Sequence, residues 1–435
     1  MGLGFSALTL ILFPAHAVQA EPKTYTLNEA LSTAVEHSPV LQKSQASLDE
    51  MRWKNTEGAS VFLPSLQLTA NHFFERKYQL LDVSIGGGPV IEIPQIFPSS
   101  SATLAANWLL FDGFGNVNTY RATRDLKNAA QADYEWTEFQ LAQDVKLQYA
   151  RVVSAKKLKE VAEQNLKTLE NHQAQVNLMK KGGISTNYDV LRVESQLSEA
   201  QADLLQAQDN IIIAQEKLAQ ILGVSEAVDV ASDADLETPN SAPIKPIEYT
   251  RDDSKRKDLI ALESKVTAAD EMDSVSSTFW IPKVGLGAQY NYYNNLSDPL
   301  TDYSNYRRSW SAGFFLTWDI FNPRSYALSK EEKYKSIQVQ KNLMQAHLQA
   351  PVDFAFWKKR YLYNSTLYEA KKVDQSRATE TVRLAQAGFK AGIRTTTDVL
   401  DAELDLFRAR AGIVNAQMNC LEAKVKLELS QGQTL

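Results

Sequence analysis

Asp398 and Asp401 are the residues whose type and spacing suggest the most chemistry in this chain. They stand three apart at the start of a helical run, so both carboxylates share one helix face. Such a pair attracts cations and repels anions wherever it lines a passage. Thr395-x-x-Asp398 also has the spacing of a helix N-terminal cap, and the two roles of Asp398 can coexist; Asp401 has no capping reason to be there. Arg394, one residue earlier, is open to two readings, a solvated side chain or an ion-pair partner. Nothing here points to catalysis. His37, His72, His172 and His347 are scattered without metal-ligand spacing, no nucleophile stands beside a base, and Gly86-Gly87-Gly88 lacks the lysine and helix that a phosphate cradle needs. The expectation is a chain with no enzymatic activity, no cofactor and no metal. A net charge of -6 gives no reason to expect nucleic acid.

The element that must hold these residues is written twice. Shifting the chain by 209 residues lays Gly183 to Gly223 on Gly392 to Gly432 without a gap, and 17 of 41 positions match, which marks a duplicated structure. Each copy reads as a helix end, a tight turn and a new helix. Lys180-Lys181-Gly182-Gly183 precedes Thr186-x-x-Asp189; Lys390 and Gly392 precede Thr395-x-x-Asp398. Beyond each turn, apolar and small residues fall alternately three and four apart: Val190, Val193, Leu197, Ala200 and Leu204 in one copy, Val399, Ala402, Leu406, Ala409 and Ile413 in the other. That is a heptad seam, and its alanines let coiled-coil helices approach closely. Arg192 holds the place of Asp401 in the first copy, so the two tips are not equivalent.

Ahead of each tip lies a long helical stretch, roughly 116–180 and 325–389, which at about 1.5 Å per residue reaches roughly 100 Å. Pro351 is expected to kink or break the second. Ahead of these stretches come strand pairs with strict alternation, over about 64–76 and 101–111 and again over about 282–293 and 309–320. One face carries Leu66, Leu68, Leu104, Trp108, Leu286, Tyr290, Trp310 and Phe314, and the other is small and polar. Residues 77–100 read as a loop. An apolar, aromatic-edged face backed by a polar one is what a membrane β-barrel requires. Residues 1–20, ending Ala15-His16-Ala17-Val18-Gln19-Ala20, read as a secretory signal without the usual basic start. No later run is long and apolar enough for a spanning helix, which leaves β-strands as the route through a bilayer. Residues 26–60 read as helix with a break at Ser38-Pro39, 224–247 as an external connector, and 248–278 as helix again. Cys420, the single cysteine, sits in the heptad seam as a small buried residue.

The expected fold is mainly α with a membrane β-barrel, built from a duplicated helix-strand-strand-helix unit over 21–223 and 248–432. Four strands cannot close a barrel. Eight from two chains would be filled by side chains, whereas twelve from three would leave a lumen. In such a trimer the two aspartates become a ring of six carboxylates.

With Leu63-Pro64-Ser65-Leu66 and the string Ala391-Gly392-Ile393-Arg394-Thr395-Thr396-Thr397-Asp398-Val399-Leu400-Asp401-Ala402, this chain resembles the TolC family of outer membrane efflux channels over nearly its whole mature length. The resemblance implies a homotrimer with a twelve-stranded barrel in outer membrane lipid, continued by a helical tunnel across the periplasm. It implies a periplasmic adaptor and an inner membrane transporter as partners, and passive exit for a tripartite efflux pump or type I secretion system. It implies a gate in which Asp398 and Asp401 line the entrance while Arg394 ties one hairpin to its neighbour through Asp189. Phe389 stands where the family often has tyrosine, so that latch lacks a hydroxyl. Gly183, Thr186, Gly392 and Thr395 would form the tip turns that face the adaptor. The competing readings are a trimeric coiled-coil stalk or adhesin without transport, which needs neither a polar strand face nor a charged tip, and an envelope hydrolase, which needs a clustered acid or nucleophile.

Overall fold

The computed structural model describes residues 22–74, 78–84, 86–96, 100–232, 234–237, 255–294 and 306–434, so the signal read over 1–20 lies outside the described residues. In chain order the elements are β1 (Lys23–Tyr25), α1 (Leu27–His37), α2 (Pro39–Ser60), β2 (Ser65–His72), β3 (Tyr78–Val83), β4 (Ile91–Ile96), β5 (Ser100–Phe111), α3 (Gly115–Lys181), α4 (Asn187–Leu222), β6 (Val228–Val230), α5 (Lys257–Ser276), β7 (Lys283–Asn294), β8 (Tyr306–Thr317), α6 (Pro323–Lys390) and α7 (Thr396–Gln431). The chain divides into two compact units, 1–42 with 138–249 and 353–435, and 43–137 with 250–352.

In the first unit the heptad seams become buried cores. Leu169 and Val176 of α3, Val190 and Val193 of α4, Val382, Ala385 and Phe389 of α6, and Val399, Ala402 and Leu406 of α7 close on one another near the tips. Each fully buried Val, Leu or Phe contributes about 1.5–3 kcal/mol relative to exposure. A second cluster joins Phe354 and Tyr361 of α6 to Cys420, Ala423 and Leu427 of α7. Burial pushes the Cys420 thiol up to about 11, which keeps it protonated and unreactive. One reading is corrected here and one is narrowed. Part of the connector is not external: β6 pairs in parallel with β1, Val228, Val230 and Leu236 are buried, and Lys156 and Lys157 of α3 pair with Asp229 and Asp235. The helix α6 runs through Pro351 without ending, so the proline does not break it. The chain does break where α1 ends before Ser38-Pro39, because the residue ahead of a proline avoids the α region.

The second unit is built on an antiparallel sheet of order β2-β5-β7-β8. Its register stacks the even-numbered residues in rows on one face, among them Leu68, Leu104, Tyr290 and Trp310, then Ala106, Ala288 and Ala312. The other face carries Gln67, Thr69, Asn107, Gln289 and Ser311, with the Thr103 hydroxyl donating to Asn291 Oδ1 at 2.8 Å. Phe315 is an exception, an aromatic ring on the polar face. It lies over Gly285, where an added Cβ would sit 2.2 Å from the ring, so only glycine leaves it room. The duplication extends to two indole clamps: Trp108 Nε1 donates to Phe62 O at 2.8 Å and Trp318 Nε1 to Trp280 O at 2.9 Å, each tying a strand end back to the turn ahead of its partner strand. The stretch read as a loop over 77–100 contains the β-hairpin β3-β4. On α5, Lys257 and Lys265 pair with Glu135 and Asp133 of α3 at 2.9 and 2.7 Å.

Candidate functional site

Both tips are built the same way. Gly183 and Gly392 adopt positive φ, 74° and 71°, which a Cβ would strain. Ile184 N–H donates to Met179 O and Gly183 N–H to Lys180 O; Ile393 N–H and Gly392 N–H do the same to Gly388 O and Phe389 O, at 2.8 and 3.0 Å. This double bond pattern ends a helix by satisfying its last carbonyls. The next helix starts on a reciprocal cap. Thr186 N–H donates to Asp189 Oδ2 at 2.8 Å while Asp189 N–H donates to Thr186 Oγ1 at 3.2 Å, and Thr395 with Asp398 repeats both distances.

The aspartates therefore already have structural work. The Thr395 N–H, then its hydroxyl, hold the Asp398 carboxyl below the usual aspartate range, with Arg394 adding to the effect. The Thr186 hydroxyl and N–H do the same for Asp189, joined by the hydroxyls of Ser185 and Thr396. Asp401 is exposed on α7. Among the described residues the ion pair of Arg394 is with Asp398, Nη1 to Oδ1 at 3.9 Å, and it is exposed. An exposed pair at that distance contributes little. Within one chain, then, Arg394 is seen with Asp398, and the hydrogen bonds of Asp189 go to Ser185 and Thr186 of its own tip. The stem of Arg394 packs over Gly388, where a Cβ would meet Arg394 Cγ at 2.6 Å.

Phe389 is a core residue. Its side chain is 6% exposed and its ring lies 5.4 Å from that of His172 on α3, so it ties the two hairpins by packing in the core. Replacing Phe389 by Ala is expected to destabilise this unit by about 3–4 kcal/mol, read as a lower midpoint in chemical denaturation; an unchanged midpoint would remove Phe389 from the core.

Sequence reasoning missed Glu403. Its repeat counterpart Glu194 is exposed, but Glu403 is 3% exposed. Gln386 Nε2 donates to its Oε1 at 3.0 Å, while Oε2 is buried without a hydrogen-bond partner among the described residues, beside a small void lined by Asn165, Thr168, Leu406 and Arg410. Burial pushes its carboxyl up to about 7, with the Gln386 bond only partly offsetting it. The available signal was position: Glu403 directly follows the seam residue Ala402. The tips thus offer solvent-accessible carboxylates, capped helix starts and a buried carboxyl shifted towards neutrality.

Comparison with known proteins accounts for this architecture. The model of the outer membrane efflux protein family matches residues 30–224 and 253–433. Outer membrane protein TolC of Vibrio cholerae is 23% identical over 417 residues, covering 93% of this chain and 90% of that protein. Pyoverdine export outer membrane protein OpmQ of Pseudomonas putida is 24% identical over 343 residues, covering 77% and 70%. Among solved structures, the outer membrane protein VceC of Vibrio cholerae superposes with a TM-score of 0.76 at 17% identity, covering 94% of this chain and 96% of VceC. The match of the family model over most of the chain, on a duplicated helical fold with a four-stranded sheet, is decisive: this chain belongs to the outer membrane efflux protein family.

Proposed function

We propose that three copies of this chain form a channel-tunnel, an exit duct through the outer membrane for a tripartite efflux pump or type I secretion system. The observation that carries this reading is the open sheet. Its edge strands β2 and β8 have no partner strand among the described residues, and one face is apolar and aromatic while the other is polar. An open apolar sheet edge is not tolerated in lipid, and closing it with two more copies gives twelve strands around a lumen. The helical hairpins would continue the duct into the periplasm and meet an adaptor and an inner membrane transporter.

The tips of the hairpins form the gate in this reading. Asp398 and Asp401 line the entrance, and the turns at Gly183, Thr186, Gly392 and Thr395 face the adaptor. Arg394 would latch one protomer to Asp189 of the next, exchanging its weak 3.9 Å pair with Asp398 for that contact. Planar-bilayer recording of the purified assembly tests both levels. A duct shows unitary conductance, and a stalk shows none in any tip variant. Arg394→Ala is expected to raise resting conductance several-fold if the latch holds the gate shut; unchanged conductance would count against the latch while leaving the duct standing.

A further inference from the structure

Towards one end of the apolar face of the sheet a row differs from those before it, and a last row of His72, Ser100, Asn294 and Tyr306 follows it. From Val284 and Leu316 the rows run through Trp108, Leu286 and Phe314, then Leu66, Ala106, Ala288 and Ala312, then Leu68, Leu104, Tyr290 and Trp310. The next is Ala70, Ala102, Tyr292 and Arg308. Arg308 is exposed, is the one permanently charged side chain on this face among the described strand residues, and makes no ion pair among the described residues. Around it on the same face stand Tyr292 opposite, and Tyr306 and Trp310 on its own strand; the Tyr292 and Tyr306 rings stack at 4.7 Å. Its neighbour Arg307 belongs to the other, polar face, opposite Tyr293.

This placement decides what Arg308 can meet. Eight residues separate it from Leu316, which at about 3.4 Å per residue and a tilt of roughly 40° is about 20 Å of height. The apolar band of an outer membrane barrel is about 25 Å tall. Arg308 therefore lies at the far border of the band, where aromatic girdles sit and a cation is tolerated. The strands reach this border at the end away from the helices that follow β5 and β8, the outer-leaflet end. A planar guanidinium there presents paired N–H donors that match a phosphate, with Tyr292 next to it in the row and the alanines Ala102 and Ala70 beyond that ring.

We propose that Arg308, framed by Tyr292, Tyr306 and Trp310, binds the phosphate of an outer-leaflet lipid and so anchors each protomer in that leaflet. The proposal rests on reading the sheet as a sector of a membrane barrel. The test uses full-length protein reconstituted in phosphatidylcholine vesicles with and without bisphosphorylated lipid A, with bound lipid A counted after detergent extraction. Wild type and Arg307→Gln are expected to retain lipid A. Arg308→Gln is expected to bind about ten-fold more weakly, with partial recovery in Arg308→Lys. Equal retention by Arg308→Gln, or an equal loss in Arg307→Gln, would overturn the proposal while the protein still inserts. Wild-type protein that enters neither kind of vesicle would overturn the barrel reading, and this site with it.

Discussion

Changing both Asp398 and Asp401 to asparagine is expected to weaken block of the pore by a trivalent cation by roughly two orders of magnitude at low salt. The estimate follows from Coulomb attraction of about 1 kcal/mol per charge pair at contact in water, multiplied over several carboxylates and a triply charged ion. The N-cap is Thr395, and the asparagine amide oxygen can still accept from the Thr395 N–H, so that turn should survive. Because the Thr395 N–H and hydroxyl hold Asp398 ionised below the usual carboxylate range, block in the wild type should persist into mild acid. It should fade with salt, since exposed charges are screened over about 10 Å at 0.1 M. Single-channel current against cation concentration reads all three effects, and block that survives the double substitution would place the cation site elsewhere.

The second large effect is expected at Glu403. Its carboxyl titrates at about 7 in the packed tip, above the ordinary glutamate value of 4.5, because burial disfavours the charged form. The packed state therefore binds more protons than the opened state between these values. Tip stability is full below pH 4.5, falls as pH rises towards 7 and stays low above it. The loss is on the order of 3 kcal/mol. Arg410, which lines the same void, is bonded to Gln164 Oε1 at 2.9 Å. His172, in the neighbouring core, acts in the opposite sense: burial lowers its pKa, so acid charges it only at the expense of packing. Glu403→Gln should keep the Gln386 contact, abolish the fall above pH 4.5 and leave the acid-side contribution of His172. Hydrogen exchange of amides over 396–406 at pH 5 and pH 8 measures this; an unaltered pH dependence in the variant would remove Glu403 from the account.

What could be read in advance followed the strength of each periodic signal. The heptad seams and the four long alternating strands repeat often enough for their pattern to stand out from composition, and the 209-residue repeat supplied a second copy of each. The strands β1 and β6 are three residues each, too short for any period, so their pairing through the connector was invisible. The hairpin β3-β4 read as loop because Gly86-Gly87-Gly88-Pro89 and Pro94 mask its short strands. At the tip, residue type and spacing pointed to the aspartates and the caps, since these are local features. Phe389, Thr396 and Glu403 depend on which helix face meets which neighbour. A phenylalanine beside a turn reads equally well as surface or core until His172 of α3 is placed against it. Phe315 breaks the polar alternation of β8, and only the register that sets it over Gly285 explains how it fits.

The most direct test of the central claim, that four strands from each of three chains close one hollow barrel, is the mass of the detergent-solubilised protein with bound detergent subtracted. A closed trimeric barrel gives a single species of three chains that also conducts ions in a bilayer. A stable single chain, with the Trp310 and Phe314 face buried in a water-soluble core, would contradict it.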